Sequence, residues 1–256
     1  MKKITPSDLE VIKNAKAALE ADSIAMRLNA YVGKGVNLIV KSLPACAQNQ
    51  ISRAVNVSLK KATHWAFLTT GSMERPVMRE DWIHKAGVLA SGAIGGLGGI
   101  ATAAWELPVS TMIMLRSIGC IAEEEGLSMG DPKTRLGCVS VLAMGADAKH
   151  VQGDELGYWV VRKTMAGLVT QALEWNGRGA VPALTQFIIR TAERFGVVVS
   201  EKLALQAAPA FGAVAGATIN HFFLDHYQKV AHAHFSIERL CLVYGEKPVK
   251  EAYARL

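Results

Sequence analysis

Between Ala86 and Trp105 the chain carries no charged side chain, and Gly87, Gly92, Gly95, Gly96, Gly98 and Gly99 crowd its first part. At about 100° per residue, Gly92, Gly96, Gly99 and Ala103 fall on one narrow stripe, with Ile94, Leu97 and Ala101 opposite. Glycine inside a helix costs roughly 1 kcal/mol relative to alanine. Several at helical spacing therefore call for compensation, most simply a second backbone approaching closely. Pro209–Asn220 repeats the pattern: Gly212 and Gly216 share a stripe with Ile219 and Phe223. The two stretches predict small-residue faces packed in the centre of a helical bundle. The competing reading makes the glycines loop markers.

The Ala86–Trp105 run has the length of a membrane span. Its glycines leave few of the large apolar residues that drive insertion, and Glu106 follows at once, which favours a buried core helix. The N-terminus, where Asp8 and Glu10 arrive early, lacks the apolar core of a signal peptide. Cys46, Cys120, Cys138 and Cys241 form no Cys-x-x-Cys pair, and each is expected to sit as a reduced thiol in an apolar helical pattern. These features point to a cytoplasmic chain, peripheral at most to the inner membrane.

No stretch reads as a strand or hairpin, so the fold class is all-α: a single-domain helical bundle over residues 1–256, with peripheral N-terminal helices in 1–70 and a core in 80–256. Thr5-Pro6-Ser7-Asp8 starts a first helix carrying Leu9, Ile12, Ala15, Leu19, Met26 and Ala30 on one face, and Gly33–Gly35 ends or bends it. A second start at Ser42–Pro44 leads to a stripe of Ile51, Val55, Leu59, Ala62, Trp65 and Ala66, with Arg53, Asn56, Lys60 and His64 opposite. Gly71–Arg79 is the best linker candidate. The glycine-rich helix should break at Trp105–Pro108, and Pro108 should open a new one closed by Gly126. Glu123-Glu124-Glu125 opposes the helix dipole there and reads as a solvated acidic corner rather than a partner for basic groups. Asp131-Pro132 caps the next helix, with Leu136, Val139, Val141 and Leu142. Gly145–Gly153 is a polar connector, Val161, Met165, Leu168 and Ala172 form another apolar face, and Pro182 restarts the chain after Asn176–Gly179.

The one constellation suggesting chemistry is His221 to His234. His221 and Asp225, at i and i+4, have the spacing of paired ligands or catalytic groups, and His232 extends their stripe. That stripe lies opposite Gly212 and Gly216, however, which directs it to water. His226 and His234 fall on the glycine side but about 12 Å apart along the axis, too far to share an ion. The reading is no metal and no cofactor, with His221, Asp225 and His232 kept as weak catalytic candidates. Phosphate-loop and nucleophile-elbow motifs are missing from the sequence.

The basic balance, 28 Lys and Arg against 22 Asp and Glu, gives a net charge of +6 that favours anionic surfaces. It reads as scattered, without interleaved aromatics, so nucleic acid is not the expected partner.

The run Gly95-Gly96-Leu-Gly-Gly to Leu107-Pro108, the helix Thr111–Ala122, the segment Gly126-Leu-Ser-Met-Gly-Asp131-Pro132 and the Pro209–Asn220 stretch together resemble the EcsC family of bacterial proteins over about Asp81–Tyr244. The resemblance implies a hydrophobic helical protein associated with transporter operons and supplies no catalytic residues; Asp131 and Asn220 match its pattern, while Pro209-Ala-Phe-Gly212 departs from its more usual Pro-Val-Val-Gly-like run. The leading expectation is a non-enzymatic helical protein that interacts with a membrane protein or an anionic lipid surface, its homo-oligomeric state open. The alternatives are a hydrolase using the His221–His234 region and a soluble carrier of lipid or another apolar ligand.

Overall fold

The structure, a computed structural model, describes residues 3–21, 45–68, 99–146, 157–174, 180–207 and 212–256, without the side chains of 67–68, 99–106, 180 and 204–218. Within them eight helices pack as a single all-α bundle: α1 (Pro6–Leu19), α2 (Ala45–Leu68), α3 (Gly99–Glu124), α4 (Pro132–Met144), α5 (Gly157–Leu173), α6 (Ala180–Ala207), α7 (Gly212–Tyr244) and α8 (Glu246–Arg255). There is no strand among the described residues.

Local signals account for the ends of several helices. Thr5 caps α1, its hydroxyl accepting from the Asp8 N–H at 3.2 Å, with Pro6 in the first turn. Asp131 caps α4 by accepting from the Lys133 N–H at 2.8 Å. At the end of α3 Gly126 adopts φ +84°, and the N–H groups of Gly126 and Leu127 return to the carbonyls of Glu123 and Ala122. That paired closure needs a left-handed residue, which is why glycine stands there.

Pro108 does not begin a helix; α3 runs through it without a break. Proline removes one backbone hydrogen bond and crowds the preceding turn, at a cost of roughly 3 kcal/mol. Burial of Leu107, Met114, Leu115, Ile118, Ile121 and Ala122 along the same helix outweighs that penalty. The Ser110 hydroxyl also donates to the Leu107 carbonyl at 3.2 Å.

α4 lies at the centre, packed against α2, α3, α5, α6 and α7. From Cys138 to Ala146 every residue is buried, so the second half of this helix has no solvent face, and the first residues of the expected polar connector belong to the core. α2 packs against α3, α6 and α4 through Ile51, Val55, Leu59, Ala62 and Ala66, and exposes Arg53, Asn56, Lys60 and His64, as its spacing predicts. The cysteines are less uniform than expected. Cys138 is buried, where desolvation pushes its thiol up to about 12, whereas Cys46 is exposed.

Gly92 and Gly96 lie outside the described residues, as do Met26, Ala30 and Gly33–Gly35, the Ser42–Pro44 start, the Gly71–Arg79 segment and the Asn176–Gly179 break. Gly99 opens α3, while Gly212 and Gly216 stand in the first turns of α7. α3 and α7 do pack together, with described bonds from Gln228 Nε2 to Ser117 Oγ at 2.7 Å and from Ser236 Oγ to Glu125 at 2.8 Å.

One glycine has a demonstrable steric role. A Cβ on Gly145, the C-cap of α4, would overlap the Tyr227 ring, whereas a Cβ on Gly167 in α5 would meet nothing within 4 Å. Gly145→Ala should therefore lower stability by about 1–3 kcal/mol. Gly167→Ala should be neutral or raise it by up to about 1 kcal/mol through helix propensity. Urea denaturation of both variants checks the pair; equal effects would contradict the close approach of Tyr227 to Gly145.

Candidate functional site

α7 carries both kinds of histidine that its wheel separates. His221 and His232 are exposed, and the half-buried Asp225 accepts from Lys229 Nζ at 2.8 Å. Gln228, on the same stripe, reaches α3 instead of water. His226 and His234, on the other side, are buried.

His226 belongs to the end of α4. Its Nε2 donates to the Gly145 carbonyl at 2.6 Å, while Tyr227 Oη donates to the Leu142 carbonyl at 3.3 Å. From α6, Arg194 donates through Nε to the Ala143 carbonyl at 2.7 Å and through Nη2 to the Ala146 carbonyl at 3.1 Å. Four backbone acceptors at a buried helix C-terminus are thus supplied from two other helices. A cation there also complements the negative end of the helix dipole. Arg135, 2% exposed, does the same for α2: its Nε donates to the Ala66 carbonyl and its Nη1 to the carbonyls of Met129 and Gly130, all within 2.9 Å.

The densest polar constellation joins α5, α7 and α8. His234 Nδ1 lies 2.9 Å from Tyr158 Oη, and its Nε2 lies 4.0 Å from Glu238. Arg162 donates to Glu238 at 2.8 Å and to Glu246 at 2.7 Å, with its guanidinium over the Trp159 ring. Tyr158 stacks on Tyr253, and Trp159 meets Tyr253 edge-on. These aromatic walls explain the protonation states. Desolvation holds the His234 imidazolium back, so its pKa drops to about 4 although Glu238 pulls the other way. Burial also opposes the Glu238 carboxylate, but the charge and hydrogen bond of Arg162 help to outweigh it and keep that carboxyl below its ordinary value. With Nε2 turned toward the Glu238 carboxylate, the neutral imidazole carries its proton there, and Nδ1 accepts the hydrogen bond from the Tyr158 hydroxyl, which keeps its own proton.

Chemically this arrangement contains an acid, a base and a cation, but each is bonded to another group of the chain. These bonds tie α5 to α7 and to α8, and α8 to α7 through Arg162. Glu125 is engaged similarly, accepting from Arg239 Nε at 3.0 Å as well as from Ser236, so the acidic triplet does meet a basic group, one within the chain. Among the described residues no group of three or more His, Cys, Asp or Glu side chains is placed to hold a metal ion.

Tyr158, Arg162, Glu238 and Glu246 were not singled out by sequence. A signal existed: Arg162 falls on the same side of its helix as Tyr158, Met165 and Val169, where an unpaired charge would be costly, and His234 and Glu238 are one helical turn apart.

An all-α bundle, strandless among the described residues, around a helix whose second half is wholly buried and with arginines closing helix ends, places this chain among all-α proteins organised by internal polar ties. The profile of the EcsC protein family matches residues 7–240, and the chain belongs to that family. The match begins in α1, well before the residues that carry the resemblance, so it takes in α1 and α2. No curated protein and no solved structure matches the chain.

The depressed His234 pKa has a definite consequence for stability. Below an ordinary value near 6.5 the unfolded chain binds a proton that folded His234 refuses until about pH 4. This contribution is complete above pH 6.5 and is lost as pH falls through the 6.5-to-4 window. Between pH 7 and pH 5 the parent should lose about 2 kcal/mol more than His234→Gln. Urea melts at the two pH values measure this, and parallel losses would mean that His234 is not held neutral.

Proposed function

We propose that this EcsC family member is a non-enzymatic, cytoplasmic helical protein that works at the inner membrane surface, associating with anionic lipid or with a membrane protein embedded in it. The observation that carries the reading is the uncompensated net charge of +6. Cations inside the bundle have internal assignments: Arg162 pairs with Glu238 and Glu246, while Arg135 and Arg194 close helix ends. The catalytic-type groups of the Tyr158–His234–Glu238 network are likewise committed to one another, which favours a structural role for them. Among the described residues no helix is long and apolar enough to cross a membrane; most of the uncharged Ala86–Trp105 run lies outside them.

Attraction of a basic surface to anionic headgroups is long-ranged and screened by salt. The protein should therefore co-sediment with vesicles containing phosphatidylglycerol and not with pure phosphatidylcholine, and raising salt from about 0.05 to 0.5 M should release most of it. In cell fractions it should leave membranes on high-salt washing. Retention after both salt and alkaline washes would require an inserted segment and would end the peripheral reading.

A further inference from the structure

The positive charge is less scattered than the composition suggests. Between residues 22 and 73 the sequence has six basic residues, Arg27, Lys34, Lys41, Arg53, Lys60 and Lys61, against one acid, Asp22. This stretch alone contributes +5 of the net +6 (six minus one). α2 is its described part, and no Asp or Glu occurs among the helix's 24 residues. Arg53, Val57, Lys60 and His64 follow one another at i, i+4, i+7 and i+11, which sets them on one stripe, with Asn56 and Lys61 on its flanks. All six are exposed, Val57 at 45%. Arg53, Lys60 and Lys61 make no ion pair with any described residue, in contrast to Arg162 and Arg239, whose charges are matched within the bundle. The stripe is about 16 Å long.

We infer that the outer face of α2, built on Arg53, Lys60 and Lys61 around Val57, is the surface through which this protein contacts an anionic lipid bilayer. The inference rests on the membrane-surface reading above and gives it an address. The opposite face of α2 is already buried against α3, α4 and α6, so the helix meets lipid by its charged side. Contact is thus electrostatic, with lysine and arginine stems and Val57 resting at headgroup level, unlike an interfacial helix that sinks its apolar face. The chemistry of the face favours lipid over nucleic acid. The one aromatic ring on the stripe is the His64 imidazole; Trp65 beside it packs against the core, so among the described side chains no row of rings is presented on which successive bases could stack.

The full-length chain tests this with two charge-matched triple variants: Arg53→Gln, Lys60→Gln, Lys61→Gln on α2, and Lys133→Gln, Lys163→Gln, Lys247→Gln on exposed positions of α4, α5 and α8. Vesicles of phosphatidylglycerol and phosphatidylcholine are the probe, with circular dichroism confirming the fold. The α2 variant should bind on the order of 100-fold more weakly than the parent, and the control within about threefold. Equal weakening of both variants would overturn the assignment to α2 while leaving the membrane-surface reading intact. Failure of the parent to bind these vesicles would remove both. Loss of single-stranded RNA binding in the α2 variant, with vesicle binding unchanged, would make the face a nucleic-acid surface and overturn the inference.

Discussion

A helix that ends inside the protein must have its terminal carbonyls satisfied by the rest of the chain, and in this bundle that requirement falls on α4, whose second half is wholly buried. The residues from Leu142 to Ala146 are buried, and Tyr227, His226 and Arg194 supply the donors. Each unmet acceptor would cost about 1–3 kcal/mol, a sizeable share of a domain's net stability. The positions of α6 and α7 against α4 follow from this need as much as from apolar packing. The tight fit of Tyr227 over Gly145 follows too, since only a residue without a side chain leaves room for the ring that brings the hydroxyl to Leu142.

The same logic recurs where α5, α7 and α8 meet. Arg162 is placed among apolar neighbours and draws two carboxylates from separate helices, Glu238 and Glu246. His234 stays neutral beside them because aromatic burial outweighs the nearby negative charge. A network of this kind specifies one arrangement of helices, since a displaced α8 would take Glu246 away from a guanidinium that has little access to water. At the other edge of α7, Tyr244 donates to Asp8 at 2.6 Å, fastening α1. That bond, with the Thr5 hydroxyl, holds the Asp8 carboxyl below its usual value.

What could be read in the sequence is what is decided within one turn of chain. Thr5, Asp131 and Gly126 announce helix ends because their side chains, or lack of one, act on backbone groups three or four residues away. The stripes of α2 and α5 are legible for the same reason, and so is the split between exposed His221 and His232 and buried His226 and His234. Pro108 was misleading, because its local penalty is overridden by burial along α3 that only the tertiary structure supplies. Arg135 and Arg194 were silent, since their acceptors, Ala66 and Ala143, lie far away in sequence and are ordinary backbone carbonyls without any motif. Arg162 was half-legible: its misfit on an apolar face could be seen, its partners could not.

The grip of Arg135 on Ala66 carries a consequence for motion. The last turn of α2 cannot fray by itself, for its release would strand a guanidinium beneath the surface at the start of α4. Opening of α2 is therefore coupled to opening of the central helix, and the two should behave as one cooperative unit whose amides exchange together. The outer face of α2 then rides on a backbone tied to the central helix, so the stems of its cations start from fixed positions before any surface is met, and little backbone ordering entropy remains to be lost on contact.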